Sequence, residues 1–194
     1  MSASYICHTA HITRGEQDHG SSLLDWRRVL ERRACVLSDG AHAEHFHANY
    51  SGVNEVGALN AETGAISSNG TAALDLDLNE RARALTFKLT FADLSSPVTQ
   101  AHIHFGQPHV PGNVMVFFCT NLNNGPAGRQ ACPANGGTAT GTITTAGLIA
   151  VPAQGVPAND FAALEGALEC GSTYGNIHTT NFPAGELRGN VHED

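Results

Sequence analysis

Ala101-His102-Ile103-His104-Phe105-Gly106 closes a run of alternating residues that begins near Val98, and the fold and the site are both read from it. On a β-strand, side chains at i and i+2 leave the sheet on the same face. His102 and His104 therefore point one way, with Cα atoms roughly 6.5–7 Å apart, and Ile103 points the other, into a core. Two imidazoles at that spacing can hold one metal ion between them. A second compact stretch, Tyr174-Gly175-Asn176-Ile177-His178-Thr179, places another histidine on a strand far downstream. The intervening chain reads as a scaffold that brings His178 beside the first two.

The surrounding pattern is that of short strands and turns. Glu44–Tyr50 alternates, with His45 and His47 on one face and Phe46 on the other. Thr71–Leu78 sets Leu74, Leu76 and Leu78 against Asp75 and Asp77, and Leu85–Phe91 sets Leu85, Phe87, Leu89 and Phe91 against Thr86, Lys88 and Thr90. Val98–His104, Asn113–Cys119, Thr138–Thr144, Thr173–Thr179 and Glu186–His192 complete the strands. Asn69-Gly70, Pro111-Gly112, Asn124-Gly125-Pro126 and Asn135-Gly136-Gly137 supply turns between them. Phe161–Cys170 is the one late helix, capped by Asn159 or Asp160 and ended by Gly171. Strands at this spacing predict an all-β, antiparallel sandwich or barrel.

The first 40 residues are of another kind. They carry five arginines and five acids, whereas residues 41–194 carry 13 acids against five bases and hold the whole net charge of −8. This shift predicts an N-terminal extension over 1–40 and a β domain over 41–194. Ser22 and Asp25 start a helix over 22–36, with Arg27, Arg28, Arg32 and Arg33 on a solvated face. No apolar run reaches the roughly 18–20 residues of a membrane span. No signal peptide is visible, although Ala41-His42-Ala43 resembles a cleavage site. The acidic balance argues against nucleic acid, since phosphate binding relies on Lys and Arg.

Five cysteines cannot all pair with one another. Cys119 and Cys132, enclosing a loop of Asn, Gly and Pro, are the best-placed pair, but spacing alone leaves free thiols equally open, and the pairing of Cys7, Cys35 and Cys170 is undetermined. An oxidised pair would place the chain outside the cytosol. No C-x-x-C exists to build a cysteine zinc site. No G-x-S-x-G elbow and no glycosidase-like carboxylate pair is present, which leaves an open metal position as the favoured route if the chain is an enzyme.

The order of elements resembles the CHRD domain, named after chordin. The matching stretches are Tyr50-Ser51-Gly52-Val53-Asn54-Glu55-Val56, Gly64 with the strand after it, Ala101–Gly106, Pro111-Gly112-Asn113-Val114, Gly171–Thr179 and Pro183-Ala184-Gly185-Glu186-Leu187-Arg188-Gly189. Together they span roughly residues 44–192. Val56-Gly57 departs from the family's usual Val-Pro-Pro. The resemblance implies an extracellular or periplasmic, immunoglobulin-like β domain. Its implied partners are a metal ion, extracellular proteins or copies of itself. The H-x-H strand is also similar, by analogy over one strand, to the copper-binding strand of copper/zinc superoxide dismutase.

Carried over position by position, the family's histidines are His102, His104 and His178, a set that suits copper or zinc. Glu186, His109 and His47, in that order, are candidates for a fourth ligand. Arg188 is expected to pair with Glu186 or to guide an anion inward, and Asn176 to hydrogen-bond a ligand's second ring nitrogen. Three functions follow from this reading. The first is a metal-binding extracytoplasmic domain, the second an interaction or structural module without metal, and the third a copper-dependent, dismutase-like enzyme.

Overall fold

The computed structural model describes residues 43–56 and 64–194. The expected N-terminal helix, the 1–40 extension, Cys7 and Cys35 lie outside them. The described chain forms nine strands: β1 (Glu44–Tyr50), β2 (Thr71–Asn79), β3 (Ala84–Ala92), β4 (Val98–Phe105), β5 (Asn113–Thr120), β6 (Gly137–Thr144), β7 (Thr173–Thr179), β8 (Leu187–Asn190) and β9 (His192–Glu193). They make two antiparallel sheets, one of order β6-β3-β2-β1-β9 and one of order β5-β4-β7-β8. This is an open sandwich, and the barrel alternative falls away.

The period-2 pattern produces the five-stranded sheet directly. Leu74, Leu76 and Leu78 on β2 oppose Leu89, Phe87 and Leu85 on β3, and all six are at most 2% exposed. Each such side chain contributes about 1.5–3 kcal/mol when fully removed from water. The other face stays wet, with Thr86 beside Thr142 and Thr90 beside Thr138 across β3 and β6. The helix, α1 (Phe161–Glu169), starts where Asp160 accepts a hydrogen bond from the Ala163 amide, and Gly171 follows it with φ +59°. Cys119 and Cys132 form the expected disulfide, joining the end of β5 to the strap that leads into β6. Cys170 is disulfide-bonded as well.

One expected element divides. The alternation predicts a single strand over Glu186–His192, but β8 ends at Asn190 in the four-stranded sheet and β9 pairs with β1 in the other. Val191, fully buried between them, is the crossing point.

The four-stranded sheet departs from one-sided burial. All seven residues of β7 are buried, and so are three consecutive residues of β4: Ala101, His102 and Ile103. A strand loses its exposed face only when both sides are covered. Here the inner side packs in the sandwich, and the outer side lies under a roof of three segments: 52–56, 106–112 and 182–185.

Candidate metal centre

The site sits on the roofed outer face. Antiparallel pairing of β4 with β7 sets Gln100 opposite His178, His102 opposite Asn176, and His104 opposite Tyr174. Even-numbered residues of both strands therefore share that face. The register with β5 skips Phe118 between Ala101 and His102 and Met115 between Ile103 and His104, so the extra residues lie on β5 while β4 keeps its alternate facing against β7.

The three expected histidines meet. Ring centroids are 5.5 Å apart for His102 and His104, 5.0 Å for His102 and His178, and 6.2 Å for His104 and His178. Imidazoles sharing one tetrahedral ion through bonds of about 2.0–2.1 Å would have centroids roughly 5 Å apart. One nitrogen from each ring lies within 4.8 Å of the others.

Two of the rings are held in a defined orientation. His104 donates its Nδ1–H to the Gly112 carbonyl at 2.9 Å, and His178 donates its Nδ1–H to the Pro183 carbonyl at 3.0 Å. With the proton fixed on Nδ1, each ring turns an Nε2 lone pair toward the cluster. Both Nε2 atoms are buried and unpartnered, as are both nitrogens of His102. Burial pushes the pKa of His102 down to about 2, and the neighbouring His178 and His104 add to the shift. Burial likewise takes His104 to about 3 despite its bond to Gly112, and lowers His178. All three rings are neutral at pH 7, the protonation state that ligates a metal.

Tyr174 supports this arrangement. Its ring stacks on His104 at 4.7 Å and 10°, and the Arg188 guanidinium lies 3.4 Å over the Tyr174 centroid. The Tyr174 hydroxyl accepts from the Gly112 amide at 3.0 Å. Gly112 thus fixes both His104 and Tyr174, and only glycine fits there. A Cβ at this position would lie 1.9 Å from the Phe105 carbonyl oxygen. Phe117 closes the far side of the cluster, edge-on to His102 at 4.2 Å. The sequence marks Gly112 only as part of the Pro111-Gly112 turn and gives Tyr174 no role at the site. Only their place in the family motifs could have pointed to the site.

The further ligand candidates lie elsewhere. Glu186 is fully buried, but its carboxylate accepts from Ser68 Oγ (2.7 Å), the Ser95 amide (2.8 Å), Ser95 Oγ (2.8 Å) and Thr179 Oγ1 (2.7 Å). Burial pushes its pKa up, the four hydrogen bonds outweigh that, and the net value falls below the ordinary 4.5. It is a structural staple with no capacity left for an ion. Arg188 does not pair with it; its Nη2 donates to the Gln107 and Val110 carbonyls and ties down the roof. Asn176 turns its amide to Glu55 at 2.6 Å rather than to an imidazole. His109 is exposed in the 106–112 loop at φ +62°. His47 lies on the outer face of the other sheet, bonded to Asp194.

A family model described as the CHRD domain matches residues 46–191. No curated protein and no solved structure matches the chain. Among the described residues, no helix is long and apolar enough to cross a membrane.

Proposed function

Because the chain belongs to the CHRD domain family, an assignment that with the Cys119–Cys132 disulfide fits an extracellular module, we propose that it binds one copper or zinc ion through His102, His104 and His178. The observation that carries this reading is the set of four buried imidazole nitrogens left without partners. Buried polar groups are nearly always hydrogen-bonded, and each one left unsatisfied costs about 1–3 kcal/mol. An ion accepting three lone pairs removes most of that cost. The carbonyls of Gly112 and Pro183 act as the orienting partners that metal-bound histidines commonly have.

Three nitrogen ligands leave a further coordination position for water or a small molecule. Zinc there would serve as a Lewis acid or a structural ion; copper would add one-electron chemistry of the dismutase kind. Storage, sensing and protection are the roles that fit a roofed centre of this type.

Metal content of the purified protein, measured beside His104→Ala and His178→Ala, tests the proposal. One equivalent in the wild type and none in the variants is expected. Thermal stability gives a second reading: zinc at a hundred times its Kd should stabilise the wild type by about 2.7 kcal/mol and leave the variants unmoved. Equal metal content in all three proteins, or a melting curve indifferent to both zinc and chelator, would establish the alternative of an interaction module with an apolar-walled histidine cluster.

A further inference from the structure

The other H-x-H of the chain, His45-Phe46-His47, is not used by the buried cluster, and the fold brings a third histidine to it. The sheet change at Val191 puts β9 against the edge of β1, where His192 becomes the cross-strand partner of His47. Their ring centroids are 6.2 Å apart, the same separation as His104 and His178 in the buried cluster. Asp194, two residues further on, bonds His47 Nδ1. A carboxylate on Nδ1 holds the proton there and points Nε2 outward, which is how acidic partners orient metal-bound histidines. His45 repeats the arrangement with Asp77 on β2.

From this geometry we propose a second transition-cation site on the outer face of the five-stranded sheet. His47 Nε2 and the ring of His192 are its ligands, Asp194 is the positioning residue, and solvent fills the remaining positions. The site is distinct from the buried triad in chemistry and access. The His47 side chain is 46% exposed and that of Asp194 62%, so an ion reaches them without any movement of the roof. Closing the ring separation from 6.2 Å to the roughly 5 Å of a shared tetrahedral ion needs only rotamer adjustment of exposed side chains. Two protein nitrogens with water hold a divalent ion weakly and exchangeably. Borderline ions such as Ni²⁺, Cu²⁺ and Zn²⁺ are the class that imidazole selects.

The test uses the full chain pre-equilibrated with one equivalent of Zn²⁺ and then titrated with Ni²⁺, followed by backbone amide NMR. Paramagnetic broadening is expected first at residues 45–49 and 192–194. His192→Ala and His47→Gln, both at exposed positions, should raise the nickel concentration for half-broadening at least tenfold, and Asp194→Ala should raise it by up to about tenfold. Unchanged titration of His192→Ala, or broadening centred on His45 and Asp77 instead, overturns the assignment. The outcome is independent of the buried centre: failure of His102, His104 and His178 to bind zinc leaves the contrast between wild type and His192→Ala intact.

Discussion

Glu186→Gln separates a ligand from a staple. The glutamine keeps the shape of the side chain but carries no charge, and it replaces one acceptor oxygen with an amino group. Four donors converge on the native carboxylate, one of them the Ser95 amide, which cannot be turned to accept. The glutamine oxygen must therefore keep the position that faces Ser95 N–H and Ser68 Oγ. Its amino group then faces Ser95 Oγ and Thr179 Oγ1, which can rotate to accept. Thr179 Oγ1 also accepts from the Phe182 amide at 3.3 Å, so that rotation is tolerated rather than free. A hydrogen bond to a charged group is worth about 1.5–3 kcal/mol against about 0.5–1.5 for a neutral one. Over four bonds, less the relief of no longer burying a charge, the expected loss is about 2–4 kcal/mol. At about 2–4 °C per kcal/mol for a domain of this size, the melting temperature should fall by roughly 4–16 °C. The depressed pKa fixes the pH behaviour. Glu186 contributes stability above the unfolded carboxylate range and loses it as pH falls through its lower folded value. The gap between wild type and variant should therefore be constant from pH 6 to 8 and close in acid. Zinc content measured on the same samples should be unchanged. A variant with wild-type stability and no bound zinc would refute the reasoning and restore Glu186 as a ligand.

Gly112→Ala should impair folding and metal binding together, costing about 2–3 kcal/mol or more, because its Cβ would overlap the Phe105 carbonyl and displace the acceptor of His104; calorimetry and zinc content report both. Glu44, pushed up to about 7 first by burial and then by Glu80, Glu169 and Glu193, contributes stability below pH 4.5 that is lost as pH rises through 7. Glu44→Gln should therefore stabilise the protein by about 1–2 kcal/mol at pH 8, after discounting for solvent screening, and change little at pH 4, as denaturant melts at the two pH values would show. Replacing Cys119 and Cys132 together with serine should lower stability by about 3 kcal/mol on the chain-entropy model for a loop of this length, read as a lower urea midpoint.

The sequence carried the sandwich in its strand alternation. Leu74, Leu76 and Leu78 on β2 and Leu85, Phe87, Leu89 and Phe91 on β3 are buried at every second position, because one face of a sheet against a core leaves no other choice. The facing of His102 and His104 followed from the same rule. His178 joins them through the second histidine stretch, Tyr174–Thr179, and through the family resemblance, since alternation alone cannot say which strands become neighbours. Glu186 was misread for a physical reason. The motif that carries it follows His178 closely and suggests a return to the same face, but Glu186 precedes β8, and its carboxylate meets Ser68 and Ser95 through contacts 118 and 91 residues away in sequence. Such long-range pairing leaves no local signal. Nor does the roof: β7 reads as a half-polar strand, and only the packing of 106–112 and 182–185 makes it buried on both sides.

That roof has a kinetic consequence. The imidazole nitrogens are already shut away from solvent before any ion arrives, and the lid over them is latched by Arg188 to the Gln107 and Val110 carbonyls. An ion bound as proposed would have to wait for that contact to open on entry and again on departure. Uptake would then be limited by loop opening, and release by loop opening together with the affinity, so the proposed centre would exchange its ion slowly. It would respond to slow changes in supply and ignore fast ones.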